Sequence, residues 1–453
     1  MTYIRKVKVG NHTYLAEVKS VREGKKVRQQ FIRYLGRNVD GSAVRMTSTD
    51  AISLEGVKRS LDVLAVDKIA RMLELPDLLE DNRVLSLVYS QLLCRKPISK
   101  LEEWFTHTEI PDVLDVTLST KQLYHALADL ADFPFVRLEG TLSHLLEKYE
   151  KSCKAAVIDV TDTYFEGKRR AGTPRRGKDG KVRRLLQIGL AVTLRHGFPL
   201  FHRTYHGNLS NMMIFKDMIT RLKERRMHPI IMDRGMHSTE NLDILLSLQV
   251  PVIAGLRKTP TLESTYLKRI KRERIFTLKN RVKLKKTSVF TKSYTYRKGK
   301  LIVVYNPSSE IVKKELNFER GVEGDSSIGY SLIYHNTHLT DHEAVKKYYD
   351  KDTIERAFKQ LKGVLNVRPV RVWLKNHVEG HVKVCYLAYA ILSLINYKLR
   401  RQKISAVDAL ESLQHGYRVT LKDEKNKHQW NLTVPLEPHQ KNILKALGVV
   451  TKT

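Results

Sequence analysis

The sequence predicts an α/β protein built on an open mixed sheet, and three observations predict it. First, the apolar run Ala155-Ala156-Val157-Ile158-Asp159-Val160-Thr161-Asp162 has strand character, carries a carboxylate at its fifth position, and precedes two further strand-like runs, Leu186 to Leu194 and Phe198 to Tyr205. Second, His228-Pro229-Ile230-Ile231-Met232-Asp233-Arg234-Gly235 repeats that pattern, an apolar strand ending in Asp, after a helical stretch from about Leu209 to Arg226. Third, Tyr348 to Lys362, YYDKDTIERAFKQLK, reads as one helix. At about 100° per residue, Tyr348, Lys351, Glu355 and Lys362 fall within an arc of roughly 60°, beside an apolar stripe of Ile354, Phe358, Leu361 and Leu365.

Length and composition bound the function. The 453 residues allow two to four domains, and 42% apolar with 28% charged residues excludes a predominantly disordered chain. A formal net charge of +33 points to a polyanionic partner, nucleic acid before a membrane surface. Charge names the partner and not the activity. Cys94, Cys153 and Cys385 are scattered, without a Cys-x-x-Cys pair, which predicts a reducing compartment and neither a disulfide framework nor a thiolate zinc site. The opening MTYIRKVKVG lacks the apolar stretch of a signal peptide. The longest apolar run, Val384 to Ile395, is too short to span a bilayer and reads as buried helix.

Residues 1 to about 37 alternate in period two, with breaks at Gly10-Asn11 and Glu23-Gly24-Lys25, and read as a small antiparallel meander. Ten Lys/Arg stand there against Glu17 and Glu23, so one face could lie on phosphates; a solvated sheet face accounts for the same charge. Residues 38 to 50 read as a polar linker, giving a first region of 1–50. Over 51–150 the apolar spacing is helical, with Pro76, Pro97, Pro111 and Pro134 as breakers, and Ser119-Thr120-Lys121-Gln122 caps a helix from Leu123 to Leu130. This helical region resembles a helix-turn-helix only weakly, and DNA binding is its candidate role.

Residues 151–256 supply the first part of the sheet, with Ser238 to Leu248 a helix and Val250 to Gly255 a strand. Ligands of open α/β sheets gather at the carboxyl ends of strands, where Asp233 stands. Residues 257–340 read as a basic, β-rich insertion. Sixteen Lys/Arg against Glu263 and Glu273 lie between Arg257 and Lys300, interleaved with Phe276, Phe290, Tyr294 and Tyr296. That mixture, with Lys283, Lys285 and Lys286 on an alternating stretch, suits a groove that follows a nucleic-acid backbone and stacks on bases. Leu301 to Tyr305 and Ile328 to His335 are predicted strands, and His335, His338 and His342 read as loop residues before the third-acid helix. Residues 341–400 return to the sheet layer, with a long apolar helix from His377 to Leu399, and 401–453 read as a basic tail of short elements.

An acid inside a buried strand is costly unless it is paired or binds a cation. Asp159, Asp233 and Glu355 together offer hard oxygen ligands on two strands and a helix, as phosphodiester chemistry with two divalent ions about 3.5–4 Å apart requires. Asp162 is the rival first acid, but period two sets it on the opposite strand face from Asp159. His377 and His381, in HVEGH, have the spacing for a zinc site without a third ligand or the zincin pattern.

On these residues the chain resembles the DDE transposases of bacterial insertion sequences, in the branch marked by a Tyr-x2-Arg-x3-Glu-x6-Lys signature. Tyr348, Lys351, Glu355 and Lys362 stand at those intervals, with IDVTDTYFEG around the first acid and MDRGMHSTENLDIL around the second; YIRKVKVG and RQQFIRYLGR are similar to the branch's N-terminal region. The resemblance covers residues 1 to about 400. It implies a ribonuclease H-like core, an α/β fold of mixed sheet flanked by helices with a β-rich insertion, and dependence on Mg2+ with Mn2+ as substitute. Asp159, Asp233 and Glu355 would bind the metals, and Tyr348, Lys351 and Lys362 would hold phosphates. The partners implied are terminal inverted repeats and target DNA, with a homodimer in the DNA complex and a bacterial cytoplasmic, nucleoid-associated location. Two departures stand out. Lys351 replaces Arg, and an ammonium cannot make a bidentate fork to phosphate; and Trp104, Trp373 and Trp430 all lie outside the insertion, where members that form hairpins stack a flipped base on Trp. A structure-specific nuclease and a non-catalytic DNA-binding derivative are the alternatives.

Overall fold

The computed structural model describes residues 2–23, 26–44, 49–150, 154–164, 173–176, 182–205, 209, 211–234, 239–268, 270, 272–285, 287–322, 327–365, 367, 370–425 and 427–450. The chain forms two compact units, one of Met1–Arg59 with Gly416–Pro435, the other of Ser60–His415 with Leu436–Thr451.

In the first unit, β1 (Thr2–Val9), β2 (His12–Glu23), β3 (Lys26–Val39) and β4 (Ser42–Val44) form an antiparallel meander in that order. The last turn is Asp40-Gly41, both with positive φ (46° and 86°), the backbone that a two-residue hairpin turn needs. Residues 38–44 therefore close a hairpin where a linker over 38–50 was expected. Ile52–Arg59 is likewise strand, β5, rather than the start of helical structure. Its partner comes from near the other end of the chain, because β5 pairs with Tyr417–Asp423, which forms a hairpin with His428–Thr433. The supposed tail is thus folded.

The second unit opens with seven helices, α1 (Leu61–Met72), α2 (Leu75–Leu79), α3 (Asn82–Leu93), α4 (Leu101–Phe105), α5 (Ile110–Leu114), α6 (Thr120–Asp132) and α7 (Phe135–Glu150). Pro76 and Pro111 lie in first turns, where proline's missing N–H costs nothing, so they start helices rather than break them. Ser119 and Gln122 form the expected capping box of α6.

The sheet follows. β6 (Ala156–Tyr164) pairs antiparallel with β8 (Val182–Thr193), which carries β7 (Thr173–Arg176) and β9 (Pro199–Tyr205) on its other edge. After α8 (Asn211–Glu224), β10 (Ile230–Met232) pairs parallel with β6; after α9 (Thr239–Ser247), β11 (Val252–Leu256) pairs parallel with β10. Residues 257–340 then extend this same sheet rather than stand apart from it. They contain the short helices α10 (Pro260–Leu262) and α11 (Arg272–Ile275), the strands β12 (Arg281–Lys283), β13 (Ser288–Tyr296) and β14 (Gly299–Tyr305), the helix α12 (Pro307–Glu319), and β15 (Tyr330–His335). β15 pairs with β11, giving the order β12-β13-β14-β15-β11-β10-β6-β8-β7.

Two apolar cores sandwich the sheet. Ile158, Ile230 and Met232 face α8 and α9. Val157 and Ile231 face the other way, toward α13 (Asp341–Tyr349), α14 (Asp352–Lys359) and α15 (Lys375–Leu399). α15 passes through the helical layer against α1, α3, α6 and β9, and against α16 (Ala406–Leu413) and α17 (Pro438–Leu447). It approaches α6 so closely at Gly380 that a Cβ there would collide with the Leu127 carbonyl. Although long and apolar enough to cross a membrane, α15 has 83% of its most apolar stretch buried in the protein, as a core helix does.

Candidate active site

The acids are positioned by register and strand alternation. Ile158 and Met232 are direct partners at the end of the β6–β10 ladder, so the next residues are neighbours: Asp233 just past the end of β10, and Asp159 inside β6, where that strand runs on against β8 alone. Because Val157 and Ile231 face α13–α15, period two turns both carboxylates to that same face. Asp162 falls on the opposite face with Val160, directly across from Gln187. Asp159 Oδ1 accepts the Val160 N–H at 2.8 Å, and Asp233 Oδ1 accepts the Arg234 N–H at 2.7 Å.

The third acid comes from α14, which packs on β6 and β8. The stretch expected as one helix is two helices and a wider turn. α13 ends at Tyr349, and the bonds from Lys351 N–H to Tyr348 O (3.2 Å), Thr353 N–H to Asp350 O (3.3 Å) and Ile354 N–H to Lys351 O (3.0 Å) tighten the backbone to a three-residue turn. Gln360–Val364 then opens into a π turn. The tight turn keeps Tyr348, Lys351 and Glu355 together, whereas Lys362 rides on the π turn with its ammonium 5.3 Å from the centre of the Phe358 ring.

Lys351 is the hub of the cluster. Its Nζ lies 3.3 Å from Asp233 Oδ1 and 3.4 Å from Glu355 Oε1, so one ammonium bridges acids from a strand end and a helix. It also lies 5.6 Å from the centre of the Tyr348 ring, within cation–π range. Tyr348 is buried, and its hydroxyl points to Asp233 Oδ1 at 3.5 Å. Burial, then the Asp233 charge, push this phenol's pKa well above its usual value, so it stays a neutral donor. Tyr348 fits only because β11 offers Gly255; a Cβ there would collide with the Tyr348 hydroxyl.

The basic stretch reaches this neighbourhood through its edge strand. Lys283 is exposed on β12, and Lys285 pairs with Asp350 at 2.7 Å, in the tight turn beside Lys351. A groove between them is lined by Lys283, Lys285, Lys346, Asp350, Asp352 and Arg356. Lys286 lies outside the described residues. The interleaved aromatics mostly do not form an open platform. Phe290 is buried against Phe276, and Tyr294 packs on Tyr266, because β13 is an interior strand of the sheet; Phe276 is the one of the four that is exposed.

His335 is not a loop residue. It ends β15, buried, with Nε2 3.2 Å from Asp341 Oδ1, and burial holds its pKa below the usual histidine value. His377 stacks on Tyr124, and His381 Nε2 lies 3.7 Å from Cys385 Sγ. Sequence reasoning passed over Gly255, Asp350, Lys346 and Arg356. Only Asp350 carried a signal, its place next to Lys351.

Asp159, Asp233 and Glu355 are carboxylates, the donors that hard divalent cations take. Among the described residues, no group of three or more His, Cys, Asp or Glu side chains is set to hold a metal ion. The Lys351 ammonium stands between Asp233 and Glu355. The donor chemistry fits a divalent ion once that ammonium moves.

A family model described as the transposase DDE domain matches residues 154–391, slightly more than half of the chain. No curated protein matches. Among solved structures, the chain is similar to the cryo-EM structure of the piggyBac transposase synaptic complex with hairpin DNA, at 11% identity and a TM-score of 0.38, covering 78% of this chain and 70% of that one.

Proposed function

We propose, from the premise that the chain belongs to the transposase DDE domain family, that it is the DNA transposase of a bacterial insertion sequence. In this reading it binds terminal inverted repeats and catalyses DNA strand cleavage and strand transfer from a ribonuclease H-like core, as a homodimer on DNA. One observation carries it: Asp159 within β6 and Asp233 at the end of the adjacent β10 share a sheet face with α14, from which Glu355 meets Asp233 across Lys351. The strand sequence β6-β8-β9 antiparallel, then β10 and β11 parallel beside β6, supports the ribonuclease H-like reading.

Asp159, Asp233 and Glu355 would hold Mg2+ or Mn2+, which supplies Lewis-acid polarisation of the scissile phosphate and activation of the attacking oxygen. Asp159 and Asp233 are fixed by backbone hydrogen bonds, so their oxygens are oriented before substrate arrives. Tyr348 offers a neutral hydroxyl beside Asp233, and Lys351 and Lys362 supply positive charge for phosphates of the cleaved end. Lys283 and Lys285, with Lys286, would carry the flanking backbone along the β12 edge.

The test is cleavage of matched inverted-repeat ends in Mg2+ with a target plasmid. Asp159→Asn, Asp233→Asn and Glu355→Gln should each abolish cleavage while retaining end binding, because affinity resides mostly in basic contacts to phosphate. Cleavage without any strand transfer would make the protein a nuclease instead. Full activity of Asp159→Asn with loss in Asp162→Asn would overturn the choice of first acid.

A further inference from the structure

We infer that Lys351 is a built-in counter-cation of the acid cluster, mutually exclusive with a divalent ion on Asp233 and Glu355, so that metal loading and release of its ammonium are one coupled event. This rests on the reading of those acids as metal ligands. The ammonium lies 3.3 Å and 3.4 Å from one oxygen of each carboxylate. The Lys351 side chain is only 15% exposed, against 43% for Asp233 and 62% for Glu355, so the cation is the deeper group and the acids reach over it. The Tyr348 ring beneath and the tightened turn at Lys351 hold it there.

A divalent ion of the Mg2+ type takes carboxylate oxygens at about 2.0–2.1 Å. Two cations sharing the same pair of oxygens would repel strongly at that separation. Either the ammonium or the metal neutralises the pair. Once displaced, Lys351 has three donors and no carboxylate, and the anion the reaction brings to this place is a substrate phosphate. Phosphate that draws Lys351 away must then tighten metal binding, and metal must tighten the grip on phosphate by the same factor. Without a phosphate to draw it away, the lysine weakens metal binding. Lys351 is thus a positioning residue for loading, whatever it later contributes at the phosphate.

The experiment is a Mn2+ titration of the full-length, DNA-free protein, with free Mn2+ read by electron paramagnetic resonance. Lys351→Met and Lys351→Gln should each bind Mn2+ on the order of tenfold more tightly than the unaltered protein. Lys346→Met removes the same charge from the neighbouring groove and should change affinity by no more than about twofold, since screened, non-contacting charges interact weakly. Unchanged affinity in both Lys351 variants overturns the inference, and so does an equal gain in Lys346→Met, which would make the effect one of general charge. Asp233→Asn serves as the separate check on the underlying reading: undiminished Mn2+ binding by that variant would show that these acids are not metal ligands at all.

Discussion

Glu139 on α7 has no solvent-exposed side-chain surface, and its carboxylate accepts from the His202 backbone N–H at 2.9 Å, lies 2.8 Å from His202 Nδ1 and pairs with Arg203 at 3.2 Å. Burial alone would raise its pKa, but the His202 hydrogen bond, then the His202 and Arg203 charges, hold it below the usual carboxylate range. The folded pKa is depressed, so this stabilisation is present above the unfolded value and is lost as pH falls through the folded one. Glu139→Gln should cost about 3 kcal/mol in chemical denaturation near neutral pH, the scale of a broken buried pair, with a shrinking difference in strong acid. His196 has the opposite charge type. Burial, then Arg195 and Arg400, lower its pKa from 6.5 to about 4, so the unfolded chain binds the extra proton between those values and stability falls as pH drops from 6.5 toward 4. In His196→Gln that part of the pH dependence should flatten, as thermal melting across the same interval would show. Residues of the cluster were largely legible in the sequence because each acid closes or interrupts an apolar strand and alternation sets Asp162 on the opposite face from Asp159; that Asp233 shares the Asp159 face follows only from the β6–β10 register. The bridge through Lys351 was not, since it depends on a backbone turn that side-chain spacing does not report.

At the scale of elements, α13 and β11 fit through Gly255, which makes room for Tyr348 beside Asp233. Gly255→Ala should therefore push Tyr348 off Asp233 or strain β11, at about 1–3 kcal/mol of stability as in other overpacked cores. Cleavage of DNA ends should fall at least tenfold in that variant while end binding, which relies on other residues, stays near normal; undiminished cleavage would show that Tyr348 need not stand there. Helices were read well where caps are local, as with Ser119 and Gln122 of α6. The break of α13 from α14 escaped because Asp350 and Lys351 carry neither Gly nor Pro, and the tertiary contacts of Tyr348 and Lys285–Asp350 accompany the turn that the sequence left unmarked. β5 escaped for a related reason: its partner strand is remote in sequence, and eight residues give weak periodicity alone.

Over the whole molecule, the surplus of 33 positive charges governs association with polyanions. Binding to DNA ends should weaken steeply with salt, linearly on logarithmic axes, because each phosphate neutralised releases counterions. Filter binding or anisotropy over about 50–200 mM salt measures the slope, and a flat line would exclude a backbone groove of the kind proposed for the β12 edge. The central part of the mixed sheet was legible, since β6, β10, β11, β14 and β15 contain compact apolar runs, whereas the interior strand β13, with Lys292 and its hydroxyl residues, does not. What the sequence could not reveal is that residues 257–340 prolong that sheet, because an antiparallel pairing such as Gly255 with Ile333 depends on partners far apart along the chain.

The strand β5 and the hairpin 417–433 give the protein a form of proofreading. A chain that stops, or loses its reading frame, after Glu355 but before Tyr417 would still contain every acid of the cluster, yet β5 would lose the strand it pairs with and leave both its edges bare beside Leu54 and Val57, which are exposed even in the intact fold. Bare edges invite aggregation and proteolysis. Gene copies damaged late in the coding sequence should then yield little lasting protein, and the damage would be visible as loss of the polypeptide before any test of chemistry.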